Sequence, residues 1–319
     1  MKWVIGCDVG GTSVKYARVY ENGHASDMGR RPVTAADKSQ EGMLALLLDI
    51  ARKEREAHDT ADEPFAGMGL GVCGVIDQPD GMMRQSPQFP QWQDFPLKAL
   101  LMEGLGTANV AVENDVNAIA LGEKWTGAAA GEGSFVLLAI GTGFGGAVVL
   151  DGRLWPGLHG MAGEAGHMNL VPVDGRPCTC GGTGCIEAYV SQVGLITSVR
   201  THEDRDFADL FTPHPASNWP KLMSDLAQAG DQRALDFYGR WGHYLGVHIG
   251  SLLNLLDVEL VLVGGGVGQS LPLYREQLLT SLHGHCFKAI ADRARIVPCT
   301  LGDLGGIVGA ASLALNARS

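Results

Sequence analysis

Positive charge is scarce in this sequence. Its 319 residues carry 24 Lys and Arg against 35 Asp and Glu, a formal net charge of -11. Such an acidic balance argues against a protein whose main task is to grip a nucleic-acid backbone, although local charge can still serve a small anionic substrate. No run of about 18 apolar residues occurs, which speaks against a membrane-spanning helix. The opening MKWVIGCDVGG is no secretory signal, because its apolar run is short and ends in a glycine turn. The G-x-x-x-x-G-K-[ST] phosphate loop is missing too. Cysteine is sparse and odd in number, at seven. Four of these (Cys7, Cys73, Cys286 and Cys299) sit in apolar or mixed segments and read as ordinary buried thiols. This usage fits a reducing, cytoplasmic compartment.

What is abundant is glycine, at 45 residues, clustered beside apolar runs rather than periodic. The 45% hydrophobic and 18% charged shares describe a globular chain, long enough for one large domain or two ordinary ones. Two stretches share a plan. KWVIGCDVGGTSVKYARVYENG, at the start, runs as apolar strand, glycine turn with a Thr, and returning strand. FVLLAIGTGFGGAVVLDG, at 135–152, repeats it and ends in an Asp-Gly turn. Both read as β-hairpins. They are either plain hairpins or the two phosphate-facing turns of a duplicated domain. Helical patterns are expected over about 39–57, from Asp115 to about Ala128, over 232–256, in SLPLYREQLLTSLH, and from near Asp303 or Gly305 to the end. Strands are expected at 66–72, in NVAVEN and in VELVLVGGG, while 200–220 reads as a partly irregular connection. Alternation of this kind predicts α/β layers with the glycine turns at the carboxyl ends of the strands.

Three cysteines fall together in CTCGGTGCIEAY, at 178–189. Cys178, Cys180 and Cys185 have the spacing C-x-C-x4-C, and His167 lies eleven residues before the first. Three thiolates and an imidazole make a good tetrahedral zinc set, with a disulfide or redox pair as the alternatives. Four protein ligands leave no open position, so the zinc is expected to be structural. One imidazole nitrogen would bind it while the other faces a ligand. Glu164 and Glu187 ride on the same scaffold, and carboxylates are natural acceptors for sugar hydroxyls.

In DVGGT, Gly10 and Gly11 let backbone N–H groups approach a phosphate, Thr12 adds a hydroxyl, and Asp8 is placed to hold Mg²⁺ or its waters. GTGFGG, with Thr142 and Gly143, offers a second such turn. Gly265 and Gly266, after the strand LVLV, would let the chain pass under an adenine or ribose. A dinucleotide fold is a weak alternative there, since G-x-G-x-x-G does not open a clear βαβ unit. In ENDVNAIALGE, Asp115 sits at a strand–helix junction. It is either a helix cap or a general base that takes a proton from a sugar hydroxyl, with Asn114 holding neighbouring hydroxyls.

Taken together, DVGGT, ENDVNAIALGE, IGTGFGGAVVLDG, GEAGH (163–167), CTCGGTGCIEAY, VLVGGGV (261–267) and LGDLGGIVGAASLA (301–314) resemble the ROK family of bacterial sugar kinases and regulators, within the actin-like ATPase superfamily. The resemblance spans nearly the whole chain. It implies two actin-like, ribonuclease H-like α/β domains around a central cleft, with ATP and Mg²⁺ as phosphate source and cofactor. The expected boundaries are 1–118, joined by a C-terminal helix at 303–319, and 119–302 with a zinc loop at 167–187. The resemblance makes Asp115 the catalytic base. It places Asn114, Asp115, Glu164, His167 and Glu187 on the sugar, and His167, Cys178, Cys180 and Cys185 on zinc. It also implies a homodimer. Repressor members carry an additional N-terminal DNA-binding domain; with the kinase pattern beginning at residue 3, a repressor is not expected here. One departure stands out in SPQFPQWQDFPL (86–97). Family kinases place Asn where Gln88 stands here, which keeps the amide but moves it by about a methylene. Trp92, nearby, is either a sugar neighbour or a buried structural residue. The expected activity is phosphoryl transfer from ATP to a hexose, first of all O6 of glucose. N-acetylglucosamine, N-acetylmannosamine, fructose, mannose and allose stay open as acceptors. A non-catalytic sugar sensor and a zinc-stapled interaction protein are the competing readings.

Overall fold

The structure is a computed structural model that describes every residue except Pro79, Ala108, His202, Glu203 and 317–319. The first elements are β1 (Trp3–Val9), β2 (Ser13–Tyr20), β3 (Gly29–Pro32), α1 (Gln40–His58), β4 (Phe65–Val72), β5 (Val75–Asp77), β6 (Met82–Gln85) and β7 (Gln93–Phe95). They are followed by α2 (Leu97–Leu105), β8 (Val110–Asn114), α3 (Asp115–Thr126), β9 (Phe135–Ile140), β10 (Phe144–Leu150) and β11 (Arg153–Leu154). The remainder comprises α4 (Gln192–Thr201), α5 (Ala208–Phe211), α6 (Trp219–Gln228), α7 (Gln232–Leu256), β12 (Leu260–Gly264), α8 (Gly265–Gly268), α9 (Leu271–His285), α10 (Lys288–Ala291), β13 (Arg295–Pro298) and α11 (Gly305–Asn316). Two compact units result. One contains Met1–Gly133, Val148–Ala162 and Thr300–Ser319, the other Ser134–Ala147 and Gly163–Cys299.

In the first unit a five-stranded sheet has the order β3-β2-β1-β4-β8. β1 pairs antiparallel with β2, as the hairpin reading expects, and parallel with β4. Its side chains alternate between two cores, as the period of a strand requires. Trp3, Ile5, Cys7 and Val9 join a cluster with Met43, Leu47 and Ile50 of α1 and Leu97 and Leu101 of α2. Val4 points the other way, to Ile307, Val308 and Ala311 of α11. That helix lies so close that a Cβ on Gly6 or Gly69 would overlap the Ile307 or Ala310 carbonyl. α1 begins where the Ser39 hydroxyl accepts from the Gly42 amide at 2.9 Å. Trp92 is fully buried, stacked on Phe89 at 4.1 Å, and donates from its indole to the Lys38 carbonyl at 2.8 Å. It is therefore a buried core residue.

A second five-stranded sheet has the order β11-β10-β9-β12-β13. The Asp-Gly turn between β10 and β11 puts Asp151 at φ 49° and Gly152 at φ 77°, the two left-handed residues of a tight hairpin turn. In the second unit α7 is a single helix, as its uninterrupted pattern predicts. The Asp231 carboxylate caps it by accepting from the Arg233 amide at 2.9 Å. α9 packs along it where Gly242 and Gly246 leave space beside the Tyr274 and Leu278 carbonyls. The 200–220 segment is more ordered than its polarity suggests. Among its described residues are helical turns at Arg205–Phe207, Ala208–Phe211 and Ala216–Asn218, and it buries Phe207, Phe211 and Trp219. The final helix is described as far as Asn316, so the expected continuation over 317–319 lies outside the described residues. No helix among the described residues is long and apolar enough to cross a membrane.

Candidate active site and metal centre

The cysteine loop closes on itself through its glycines. The Cys178 amide donates to the Gly182 carbonyl at 2.9 Å, and Gly181 and Gly184 take φ of 90° and 76°. A Cβ on Gly184 would also overlap the Val171 carbonyl. This folding gathers His167, Cys178, Cys180 and Cys185, whose ligand atoms all lie within 4.8 Å of one another. The Cys180 and Cys185 sulfurs are 3.7 Å apart, and His167 Nδ1 is 3.5 Å from Cys178 Sγ. Zinc bonds of about 2.3 Å to sulfur and about 2.0 Å to nitrogen, at tetrahedral angles, give separations of about 3.8 Å and about 3.5 Å. The four residues thus fit a closed structural zinc. With Nδ1 as the zinc ligand, the proton of the neutral His167 ring would sit on Nε2. That nitrogen lies 3.9 Å from Glu164 Oε2, at an exposed edge of the loop.

Glu187 is buried behind the knuckle. Its Oε1 accepts from the Thr179 hydroxyl at 2.9 Å, and its Oε2 accepts from the Phe144 amide at 2.9 Å. Phe144 lies within GTGFGG and is the first residue of β10. The same turn is held from its other side, where the Gln192 and Val193 amides donate to the Gly141 and Thr142 carbonyls at 2.9 Å and 3.2 Å. Gly141 and Thr142 then line a cavity of about 530 Å³. Gly266, Val267, Ser270, Tyr238, Trp241 and Lys221 form further parts of its wall. Gly265, at φ 81°, sits where a Cβ would overlap the Ile140 carbonyl, so the chain after β12 passes hard against the end of β9. Thr142 and Gly266 are thus brought to one cavity, with Gly143 and Gly265 beside them in the chain.

In the first unit the junction of β8 and α3 distinguishes its two polar residues. Asn114 is the cap: its Oδ1 accepts from the Val116 and Asn117 amides at 2.9 Å and 3.2 Å, and its Nδ2 donates to the Gly74 carbonyl at 3.2 Å. Asp115 is the first helical residue, with its Oδ1 at 3.0 Å from the Val116 amide. Glu113, which the sequence reading passed over, is buried beneath them. It accepts from the Asn114 amide at 2.8 Å, from Asn117 Nδ2 at 3.0 Å and from Gln78 Nε2 at 3.2 Å. Burial pushes its carboxyl above the usual range. Burial also raises Asp8, opposed by the nearby Lys15 ammonium, which pairs with Asp303 at 2.7 Å. Gly10 closes the DVGGT turn by donating to the Ser13 carbonyl at 3.1 Å, and Thr12 is exposed beside it. The Gln88 amide oxygen reaches this turn: it stands 3.0 Å from where a Cβ of Gly11 would be. Thr179 was the other residue missed. Its place between two cysteines masked a polar role that only the folded knuckle reveals.

The chain belongs to the ROK family, which it matches over residues 4–317, within the actin-like ATPase superfamily. It is similar to the glucokinase of Halalkalibacterium halodurans, 33% identical over 314 residues that cover 97% of this chain and 93% of that one. Similarity to the glucokinase of Thermotoga maritima is 32% over 313 residues, covering 97% and 96%. Among solved structures, a ROK family glucokinase from Streptomyces griseus in complex with glucose and AMPPNP aligns with a TM-score of 0.80 at 29% identity, covering 98% of this chain and 99% of that one.

Proposed function

We propose that the protein is an ATP-dependent hexose kinase that transfers the γ-phosphoryl group to a sugar hydroxyl, first of all O6 of glucose, with Asp115 as general base. The observation that carries this reading is the division of labour at the β8–α3 junction. Asn114 supplies the helix cap, so the cap does not account for Asp115. Membership of a family whose relatives include glucokinases, and likeness to a structure that holds glucose and AMPPNP, support the substrates.

In this reading Asp115 accepts the hydroxyl proton as the phosphoryl group arrives. Full deprotonation need not precede attack, so a carboxylate of ordinary basicity suffices. Asn114, through the remaining N–H of its amide, and Gln88 orient neighbouring hydroxyls. His167 Nε2–H donates and Glu164 accepts, which suits the two faces of a hydroxyl, and Glu187 keeps lone pairs for a further one. Backbone N–H groups of the glycine turns at 11–12 and 142–143 take the phosphates. The cavity beside Thr142 and Gly266 is roomy enough for a nucleoside, with Tyr238 and Trp241 as apolar walls. Mg²⁺, held by Asp8 directly or through its waters, would neutralise phosphate charge. A homodimer and a cytoplasmic location belong to the same proposal, and sedimentation equilibrium tests the first.

The decisive variant is Asp115→Ala. Its kcat should fall by at least about a thousandfold, within the range for losing a general base and its alignment, while calorimetry still detects hexose. Loss of sugar binding in a folded variant would make Asp115 a ligand residue instead. Retained turnover would remove it from the chemistry.

A further inference from the structure

We infer that the zinc knuckle positions the phosphate-facing turn of the nucleotide site, with Glu187 as the connecting strut, and that its influence therefore extends beyond the sugar. The inference rests on the kinase reading above. It is drawn from contacts within the second unit alone.

The turn at 141–143, between β9 and β10, has little of its own to hold it. Two of its three residues are glycines, so it contributes little side-chain packing, and an unrestrained turn of this composition loses much entropy on ordering. β10 begins at Phe144, and the turn before it is held in large part by the stretch 187–193. The Gln192 and Val193 amides hold the Gly141 and Thr142 carbonyls. Glu187 Oε2 takes the Phe144 amide at 2.9 Å and lies 2.6 Å from where a Cβ of Gly143 would be. The turn is thus gripped at both ends by residues 187–193.

That stretch is itself fixed by the knuckle. Glu187 follows the ligand Cys185 by two residues. Its second oxygen is tied by the hydroxyl of Thr179, which lies between the ligands Cys178 and Cys180, at 2.9 Å. Cys178 Sγ stands 3.7 Å from the same oxygen. Tyr189, next along, donates no slack either: its hydroxyl accepts from the Arg176 amide at 2.8 Å, and its ring lies under the Arg176 guanidinium at 4.6 Å. One carboxylate therefore joins the metal loop to the turn through two hydrogen bonds of good length, in a buried place where such bonds are costly to leave unmade. Metal loss would free Thr179, rotate Glu187 and release the Phe144 amide. The N–H groups that meet phosphate would then be less well aligned.

Thr179→Val tests this, because it removes one hydroxyl, is no metal ligand and is no proposed sugar contact. The measurement is the Kd for ADP with Mg²⁺, by calorimetry without sugar, together with zinc content and melting temperature. The expected result is a Kd about fivefold higher with zinc content unchanged and the melting temperature lowered by a few degrees, as leaving a buried carboxylate oxygen unpaired requires, and recovery of both in Thr179→Ser, which restores the hydroxyl. A merely structural Thr179 would move the melting temperature and not the nucleotide affinity. Wild-type protein supplies a second measurement: hydrogen exchange at the Phe144 amide should quicken when a chelator removes zinc. Nucleotide binding within twofold of wild type in Thr179→Val, or unchanged exchange on verified zinc loss, overturns the inference and leaves the kinase reading standing. No ADP binding by the wild type would instead bring down the kinase reading, and the inference with it.

Discussion

At the scale of single residues, the molecule spends its buried polar groups on holding other groups still. Glu113 fixes Asn114 and Asn117, Glu187 fixes Phe144, and Glu123 accepts from the Ala128, Thr300 and Leu301 amides at 2.7–2.9 Å. Each satisfies the requirement that a buried carboxylate be hydrogen-bonded. His248 is an exception. It is buried in α7, meets Phe144 edge-on at 5.5 Å, and its Nε2 has no hydrogen-bond partner among the described residues. Burial pushes its pKa down to about 4. A free histidine titrates near 6.5, so the unfolded chain takes up a proton in a range where the folded chain refuses it. The neutral-state advantage is whole above about pH 6.5 and is lost as the pH falls towards 4, by up to about 3 kcal/mol. Urea unfolding at a series of pH values should show that slope, and His248→Leu should flatten it. An unchanged slope in the variant would place the acid sensitivity elsewhere.

At the scale of elements, helix placement depends on glycines whose purpose no local pattern discloses. α11 lies against β1 and β4 because Gly6 and Gly69 have no Cβ, and against α3 because a Cβ on Gly122 or Gly309 would overlap the Gly305 or Ala118 carbonyl. Gly69→Ala would drive a methyl into the Ala310 backbone, which has no flexible end to yield. The expected cost is at least about 2 kcal/mol of stability, read as a lower denaturation midpoint in urea. A variant as stable as the wild type would mean that α11 shifts freely on the sheet.

At the scale of the whole molecule, the legible parts of the sequence were those with local causes. The two hairpins showed in their strand–glycine–strand plan, and α7 in a helical pattern that nothing interrupts. The knuckle stood out because cysteine is otherwise sparse. Residues whose role depends on distant chain stayed hidden. Phe207, Phe211 and Trp219 are isolated aromatics in a polar stretch, and only their burial together turns 200–220 into ordered helical turns. Asp115 and Asn114 could not be told apart by composition, since either residue type caps a helix. Thr179 and Glu113 had no motif of their own. The chain also returns to the first unit over Val148–Ala162, which alternating strands and helices do not announce.

The central claim is phosphoryl transfer from ATP to a hexose. It is tested most directly by a coupled assay of ADP release with ATP and Mg²⁺ across glucose, mannose, fructose, allose and the N-acetylhexosamines. One sugar, glucose first, should give a kcat/KM at least about tenfold above the rest, a difference of ~1.4 kcal/mol that a single hydrogen bond can supply. No ADP release with any of them, from protein that still binds sugar by calorimetry, would contradict the kinase and identify a sugar sensor, with Gln88 the first residue to revert to Asn.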